Sequence, residues 1–130
     1  MKEHVTSQIT FLYFEDLPKA RSFFEEVLQL EKVYDPDWAV VYRTTGKAFL
    51  GAVDAARGSI EVSNSRGVLI SLTVENVGEW FDRLQDQGLE QLTSVKAIED
   101  IGLKSFFFKG PEGYDFEIQE FVDPSLRILF

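Results

Sequence analysis

The sequence predicts an α+β fold of two tandem βαβββ modules, whose curved mixed sheets enclose a cleft and carry the helices outside. A unit of strand, acidic residue, helix cap and amphipathic helix occurs twice, about sixty residues apart, which is typical of a duplicated supersecondary unit. Aligning Asp16 with Asn76 also aligns Phe24 with Leu84. Three further predicted strands follow each copy and complete a module.

The first predicted module spans about residues 8–54. Residues 8–14 are rich in β-branched and aromatic side chains and predict a buried strand. Asp16 then caps a helix that tolerates Pro18 in its first turn and repeats apolar residues at helical spacing. The remaining predicted elements are a turn at 35–37, which lies between short strands, and the hairpin strands 38–43 and 47–53.

The second predicted module spans about residues 68–121. After a strand at 68–74, Asn76 begins a helix with Glu79 in a capping-box position, and Gly88 ends that helix. The three strands that follow are predicted at about 92–97, 103–109 and 114–121.

Both modules belong to one predicted domain, residues 1–130, with a linker at about 55–67 and a C-terminal tail at 122–130. The linker is rich in Gly, Ser and Asn, so we expect a solvated segment with at most a short strand or helical turn at 60–62. The tail ends in an apolar run, 126–130, which is typical of segments that dock on another subunit.

Composition excludes several classes of function. The chain contains no cysteine, so disulfides, thiolate metal sites and a cysteine nucleophile are excluded. A net charge of −9 spread along the sequence disfavours nucleic acid and anionic lipid as partners. No signal-peptide pattern or membrane-spanning apolar run is found, so a cytoplasmic location is expected.

Several motifs together resemble the vicinal-oxygen-chelate superfamily of glyoxalase I, bleomycin and fosfomycin resistance proteins and extradiol dioxygenases. They are a strand ending in Phe14-Glu-Asp-Leu17, its counterpart Thr73-Val-Glu-Asn-Val77, and the closing Gly110-Pro-Glu-Gly113 turn before Glu117. The resemblance covers about residues 8–121. Because members commonly pair module against module across subunits, it implies a homodimer.

Enzymes of this superfamily hold a divalent metal through inward side chains on the first and last strand of each module. The resemblance places these four positions at Ile9, near Gly51, at Leu69 and at Glu117. Only Glu117 can ligate a metal, and one carboxylate cannot hold a divalent ion against water. The single histidine, His4, lies near the terminus, so we expect neither a bound metal nor another cofactor.

The inward position of Ile9 that the resemblance implies sets the phase of the other inward residues, because side chains alternate along a strand. The predicted ligand-binding residues are aromatic and acidic: Phe11, Tyr13, Trp38, Tyr42, Asp115 and Glu117. Such a set suits a flat or cationic organic ligand through stacking, cation–π contact and charge pairing.

Three hypotheses of function follow. The first is a metal-independent small-molecule binding protein, which sequesters an aromatic or cationic ligand as metal-free bleomycin resistance proteins do. The second is a metal-dependent lyase, isomerase or dioxygenase that uses Glu117, so whether the protein is an enzyme stays open. The third is a dimeric interaction module without a cleft ligand, which the apolar tail suggests.

Overall fold

The computed structural model describes residues 4–59, 62 and 68–130, except for the side chain of residue 100. The chain divides into two compact units, module 1 (Met1–Ser65) and module 2 (Arg66–Phe130). Each module contains a four-stranded mixed sheet with a helix on one face, so the predicted α+β fold of two βαβββ modules is confirmed. The enclosure of a cleft by the two sheets stays a prediction.

The two sheets have the same topology. Their strand orders are β1-β4-β3-β2 and β5-β8-β7-β6, with one parallel pair, β1/β4 or β5/β8, and antiparallel pairing elsewhere. The strands are β1 (Gln8–Phe14), β2 (Glu31–Tyr34), β3 (Ala39–Thr45), β4 (Ala48–Asp54), β5 (Leu69–Thr73), β6 (Lys96–Ile98), β7 (Leu103–Lys109) and β8 (Asp115–Phe121).

The helix of module 1 changes its winding along its length. Helix α1 (Leu17–Ser22) begins at the predicted cap, where Asp16 accepts a hydrogen bond from the backbone N–H of Lys19 at 3.1 Å. It continues as a π-helical turn, Phe23–Val27, closed by the bond from Leu28 N–H to Phe23 C=O at 3.0 Å. Both Phe23 and Phe24 are buried in this turn, with ring centroids 5.1 Å apart.

The helix of module 2 is shorter than predicted. Helix α2 (Val77–Leu84) begins at the predicted Asn76 cap, whose side chain accepts from the N–H of Glu79 at 3.1 Å. It ends at Leu84, and a turn leads to Gly88, which has a φ of +68°.

Two further differences concern the end of the chain and the strand before β7. The strand predicted at 92–97 is found at Lys96–Ile98, and before it the backbone N–H of Thr93 donates to the Phe107 carbonyl oxygen of β7 at 2.9 Å. The predicted tail contains helix α3 (Pro124–Leu129), which begins where Asp123 accepts from the N–H of Ser125 at 2.9 Å.

Short 3₁₀ turns occupy Glu99–Ile101 and Pro111–Gly113. The element proposed for 60–62 falls mostly on positions 60 and 61, which lie outside the described residues.

Each module has its core between the sheet and its helix. The buried apolar side chains of module 1 include Leu12, Phe14, Phe24, Val40 and Ala52, and those of module 2 include Leu84, Phe106, Phe108, Phe116 and Ile118. Phe108 and Phe116 stack with centroids 5.6 Å apart. In the part of the chain that the structure describes, we find no helix long and apolar enough to cross a membrane.

Candidate functional site

The sheet surface opposite α1 in module 1 and opposite α2 in module 2, called here the helix-free face, carries most of the predicted site residues. In module 1, Leu12 and Phe14 are buried towards α1, so strand alternation assigns Phe11 and Tyr13 to the helix-free face. In module 2, Phe116 and Ile118 are buried, which assigns Asp115 and Glu117 to the corresponding face.

Phe11 dominates the helix-free face of module 1. It pairs with Gly51 on β4, which in turn pairs with Val41 on β3. A Cβ atom at Gly51 would overlap the Phe11 ring, so the ring lies against the backbone of β4. Phe11 is nevertheless 48% exposed, so it offers an accessible aromatic surface.

Phe49 lies on the same face, next to Phe11 and Gly51, and its ring is covered by the charged side chain of Arg43. Arg43 lies with its guanidinium carbon 5.1 Å from the Phe49 ring centroid and donates from Nε to Glu31 at 3.1 Å. Arg43 also donates to the Gly46 carbonyl oxygen at 2.7 Å. The Phe49 ring is therefore covered by a cation of this chain itself.

Tyr13 holds the loop that follows β4. Its hydroxyl accepts a hydrogen bond from the N–H of Ser59 at 3.1 Å, and its ring occupies the space that a side chain at Gly58 would need. Trp38 lies one position before β3, in the alternation phase of the helix-packed face, and its carbonyl oxygen accepts from the N–H of Asp54 at 2.9 Å. Tyr13 therefore lies on the face of Phe11 but packs against this loop, whereas Trp38 lies in the phase of the other face.

The predicted face of Tyr42 is wrong. Tyr42 pairs with Leu50, on the helix-packed side of the sheet, where it is fully buried with its ring centroid 5.3 Å from that of Phe24. Its hydroxyl donates to Glu25 at 2.7 Å. Burial and this carboxylate raise the pKa of the Tyr42 phenol well above its ordinary value.

Glu117 is the most unusual residue on the helix-free face of module 2. It is only 7% exposed, and its Oε1 accepts a hydrogen bond from the hydroxyl of Ser71 at 2.5 Å. Within the described residues, no lysine, arginine or histidine lies within salt-bridge distance of it. Buried carboxylates are normally paired with a cation or held by several hydrogen bonds. Glu117 has fewer such partners among the described residues than a buried carboxylate usually has.

The rows on either side of Glu117 are polar too. Asp115 forms an ion pair with Lys109 at 2.6 Å, so its charge is already compensated. On the other side, Gln119 donates to the Thr73 hydroxyl at 2.9 Å and lies opposite Ser105. Ser105 is buried, and its hydroxyl has no hydrogen-bond partner among the described residues. In the sequence, Ser105 stands directly before three phenylalanines, and no pattern there indicates that it is a site residue.

Strand register relates the four positions at which the resemblance implies metal ligands. Ile9 pairs with Phe49, and Leu69 pairs with Asp115, so the pair Phe11–Gly51 in module 1 corresponds to Ser71–Glu117 in module 2. Among the described residues, no three histidine, aspartate or glutamate side chains cluster as a divalent metal would require.

The C-terminal helix forms a second feature of module 2 that the sequence did not predict. Asp123, at its start, lies against Gly102, where an added Cβ would meet the backbone N of Asp123 at 3.2 Å. Phe130 stacks on Phe121 with centroids 4.9 Å apart. A shallow cavity of about 290 Å³ lies at this end of the sheet, lined by Thr73, Val74, Glu75, Glu120, Phe121, Arg127 and Phe130. The signal in the sequence was the Asp-Pro pair at 123–124, which is typical of a helix start.

Known structures share this fold. A glyoxalase/bleomycin resistance protein/dioxygenase from Nocardioides is 17% identical, with a TM-score of 0.73, and the match covers 95% of this chain and 88% of that one. Lactoylglutathione lyase from Agrobacterium tumefaciens is 23% identical, with a TM-score of 0.68 and coverage of 92% and 96%. The fosfomycin resistance protein FosX from Listeria monocytogenes is 15% identical, with a TM-score of 0.72 and coverage of 98% and 99%.

No protein with curated annotation matches the sequence. The family model of the Glyoxalase/Bleomycin resistance protein/Dioxygenase superfamily matches residues 3–118, nearly the whole chain. This chain therefore belongs to the glyoxalase/bleomycin resistance protein/dioxygenase superfamily.

Proposed function

We propose that this protein binds a small organic cation at the helix-free face of module 2, without the help of a metal ion. The observation that carries the proposal is Glu117, a buried carboxylate whose one hydrogen bond within the described residues comes from Ser71. Burying a charge is costly unless it is paired, so such a site favours a ligand that brings the missing positive charge.

The helix-free face of module 1 offers an aromatic surface of its own, which suits a flat ligand. Phe11 presents a half-exposed ring, held against β4 by the absence of a side chain at Gly51. An aromatic ring fixed in this way can stack on a planar ligand or lie beside a cation. Sequestration of such a molecule, without chemical change, is the role that we propose.

A matched pair of dyes tests the charge requirement. Proflavine is a planar cation at neutral pH, and acridine is a planar molecule of similar shape that is uncharged there. We expect the wild-type protein to bind proflavine and to bind acridine at least tenfold more weakly, measured by fluorescence titration at moderate salt. Glu117→Gln keeps a partner for Ser71 but removes the charge, so it should weaken proflavine binding by about tenfold or more.

A control variant separates the site from general attraction to an acidic protein. Asp82→Asn removes an equal charge from the exposed side of α2. This control should bind proflavine like the wild type. Equal binding of the two dyes, or equal loss in Glu117→Gln and Asp82→Asn, would contradict the proposal.

The second candidate is a metal-dependent lyase, isomerase or dioxygenase that uses Glu117, since a divalent ion would also compensate this buried carboxylate. Manganese, nickel or zinc should raise the Tm by several degrees if this candidate holds, and Glu117→Ala should remove the shift. An unchanged Tm with all three metals favours the binding protein.

The third candidate is a homodimeric interaction module, and the apolar surface of α3 supports it. Ile128 is 87% exposed, and Leu129 and Phe130 are also largely exposed. Truncation after Asp123 should lower the mass in solution from dimer to monomer, as measured by light scattering. An unchanged mass would argue against a role of this surface in pairing.

A further inference from the structure

Ser105 lies on the same face as Glu117, and its buried hydroxyl has no hydrogen-bond partner among the described residues. Its side chain is 2% exposed, and its hydroxyl neither donates to nor accepts from any described residue. A buried hydroxyl without a partner costs stability, which alanine at this position would avoid. The hydroxyl is therefore not explained by the packing of the sheet.

The two residues that pair with Ser105 do not bond to its hydroxyl. Gln119, directly opposite on β8, donates its amide to Thr73. On the other flank, Lys96 of β6 pairs with Ser105, and its side chain is exposed to solvent. The Ser105 hydroxyl therefore has no hydrogen-bond partner among the described residues.

Ser105 and Glu117 lie close enough for one small molecule to contact both. Glu117 pairs with Phe107 in the antiparallel β7/β8 ladder, and Ser105 is two residues before Phe107 on the same face. Diagonal neighbours of this kind are about 7–8 Å apart between Cα atoms. The helix-free face of module 2 therefore offers an uncompensated carboxylate and, one diagonal away, an unused hydroxyl.

We propose that the organic cation bound at Glu117 carries a hydroxyl or carbonyl group a few bonds from its charge, and that Ser105 recognises this group. The inference rests on the proposed function and deepens it, because it narrows the ligand class to protonated amines with a nearby hydrogen-bonding substituent. Ser105 is then a specificity-determining residue, since a site built around such a bond rejects analogues that lack the group.

Phenethylamine and its β-hydroxylated analogue test this specificity, because they differ by one hydroxyl. We expect wild-type protein to bind the hydroxylated amine about tenfold more tightly, measured by calorimetric titration. Ser105→Ala should remove this preference while leaving the affinity for phenethylamine unchanged. Ser94→Ala changes an exposed serine near the same strand and should keep the preference.

The ligand-free protein gives an independent test. If the hydroxyl has no partner, Ser105→Ala should leave the Tm unchanged or raise it by a few degrees. A Tm lowered by several degrees would reveal a structural hydrogen bond and overturn the inference.

The binding results distinguish a failure of the role proposed for Ser105 from a failure of the proposed cation site at Glu117. Equal affinities for the two amines, or a preference that survives in Ser105→Ala, would overturn the role of Ser105 and leave the cation site intact. Failure of both amines to bind wild-type protein that does bind proflavine would overturn the inference alone, whereas failure of all three cations to bind would contradict the proposed function and the inference with it.

Discussion

The helix-free faces of the two modules differ far more than their helix-packed faces do. At corresponding positions of the parallel strand pairs, module 1 has Phe11 on Gly51, whereas module 2 has Ser71 bonded to Glu117. The helix-packed faces are apolar and aromatic in both modules. Packing against a helix demands apolar surface wherever the unit is repeated, while the other face can take on different chemistry in each copy.

The largest expected effects come from the helix-packed faces. Phe24→Ala in module 1 and Phe116→Ala in module 2 each remove a fully buried ring and should lower the free energy of unfolding by about 3–5 kcal/mol. Phe11→Ala and Phe107→Ala, on the helix-free faces, remove partly exposed rings and should each cost less than about 1.5 kcal/mol. Urea denaturation of the four variants measures the difference. Similar losses for both faces would contradict this difference between the helix-packed and helix-free faces.

An intermediate effect is expected at Gly51, which has no side chain at the position that Glu117 occupies in module 2. Gly51→Ala places a Cβ into the Phe11 ring and should destabilise the protein by about 1–3 kcal/mol. The loss should shrink in the double variant with Phe11→Ala, because the ring that causes the overlap is gone.

A double-mutant cycle by urea denaturation measures this coupling directly. A coupling free energy above about 1 kcal/mol would confirm that Phe11 occupies the place of the missing side chain. Additive effects of the two substitutions would mean that the ring moves away freely, and that the aromatic surface is not fixed.

Most of the fold could be predicted because its signals are local. Strands β1 and β7 have the predicted bounds, and both helices begin at the predicted caps Asp16 and Asn76. These signals depend on alternation and on capping side chains, which neighbouring residues in the sequence carry. The helix at the end of the chain was missed although its Asp-Pro start was visible.

The candidate site was harder to predict because it depends on register and on contacts between distant residues. The face of Tyr42 could not be inferred from alternation, because residues 39–42 are all buried and apolar or aromatic. Among the described residues, the Ser105 hydroxyl has no hydrogen-bond partner and Glu117 has no salt bridge, and both features become visible only when neighbouring strands are paired. The resemblance indicated the sheet face on which Ile9 and Glu117 lie. Alternation along each strand then assigned the other residues, including Phe11, to a face.

The smallest expected effect concerns the hydrogen bonds that link the helix of each module to the rest of that module. In module 2, Glu120 on β8 accepts from the N–H of Val77 at the start of α2, at 3.0 Å. In module 1, Arg21 on α1 instead makes two 2.8 Å bonds to Asp35 in the loop before β3. These bonds from the guanidinium, with one from a backbone N–H, hold the pKa of Asp35 well below its ordinary range.

The sign of the pH dependence follows from this lowered pKa. The ion pair stabilises the folded protein fully above the unfolded-state pKa of about 4, and its contribution is lost as the pH falls through the lower folded-state pKa. The Tm of wild-type protein should therefore exceed that of Asp35→Asn at neutral pH, and the gap should narrow on acidification below about pH 4. Asp82→Asn removes an equal charge without touching Arg21, so its Tm should differ little from the wild-type value at neutral pH. Because the pair is exposed to solvent and screened by salt, a gap that is large or independent of pH would mean that Asp35 acts through something other than its charge.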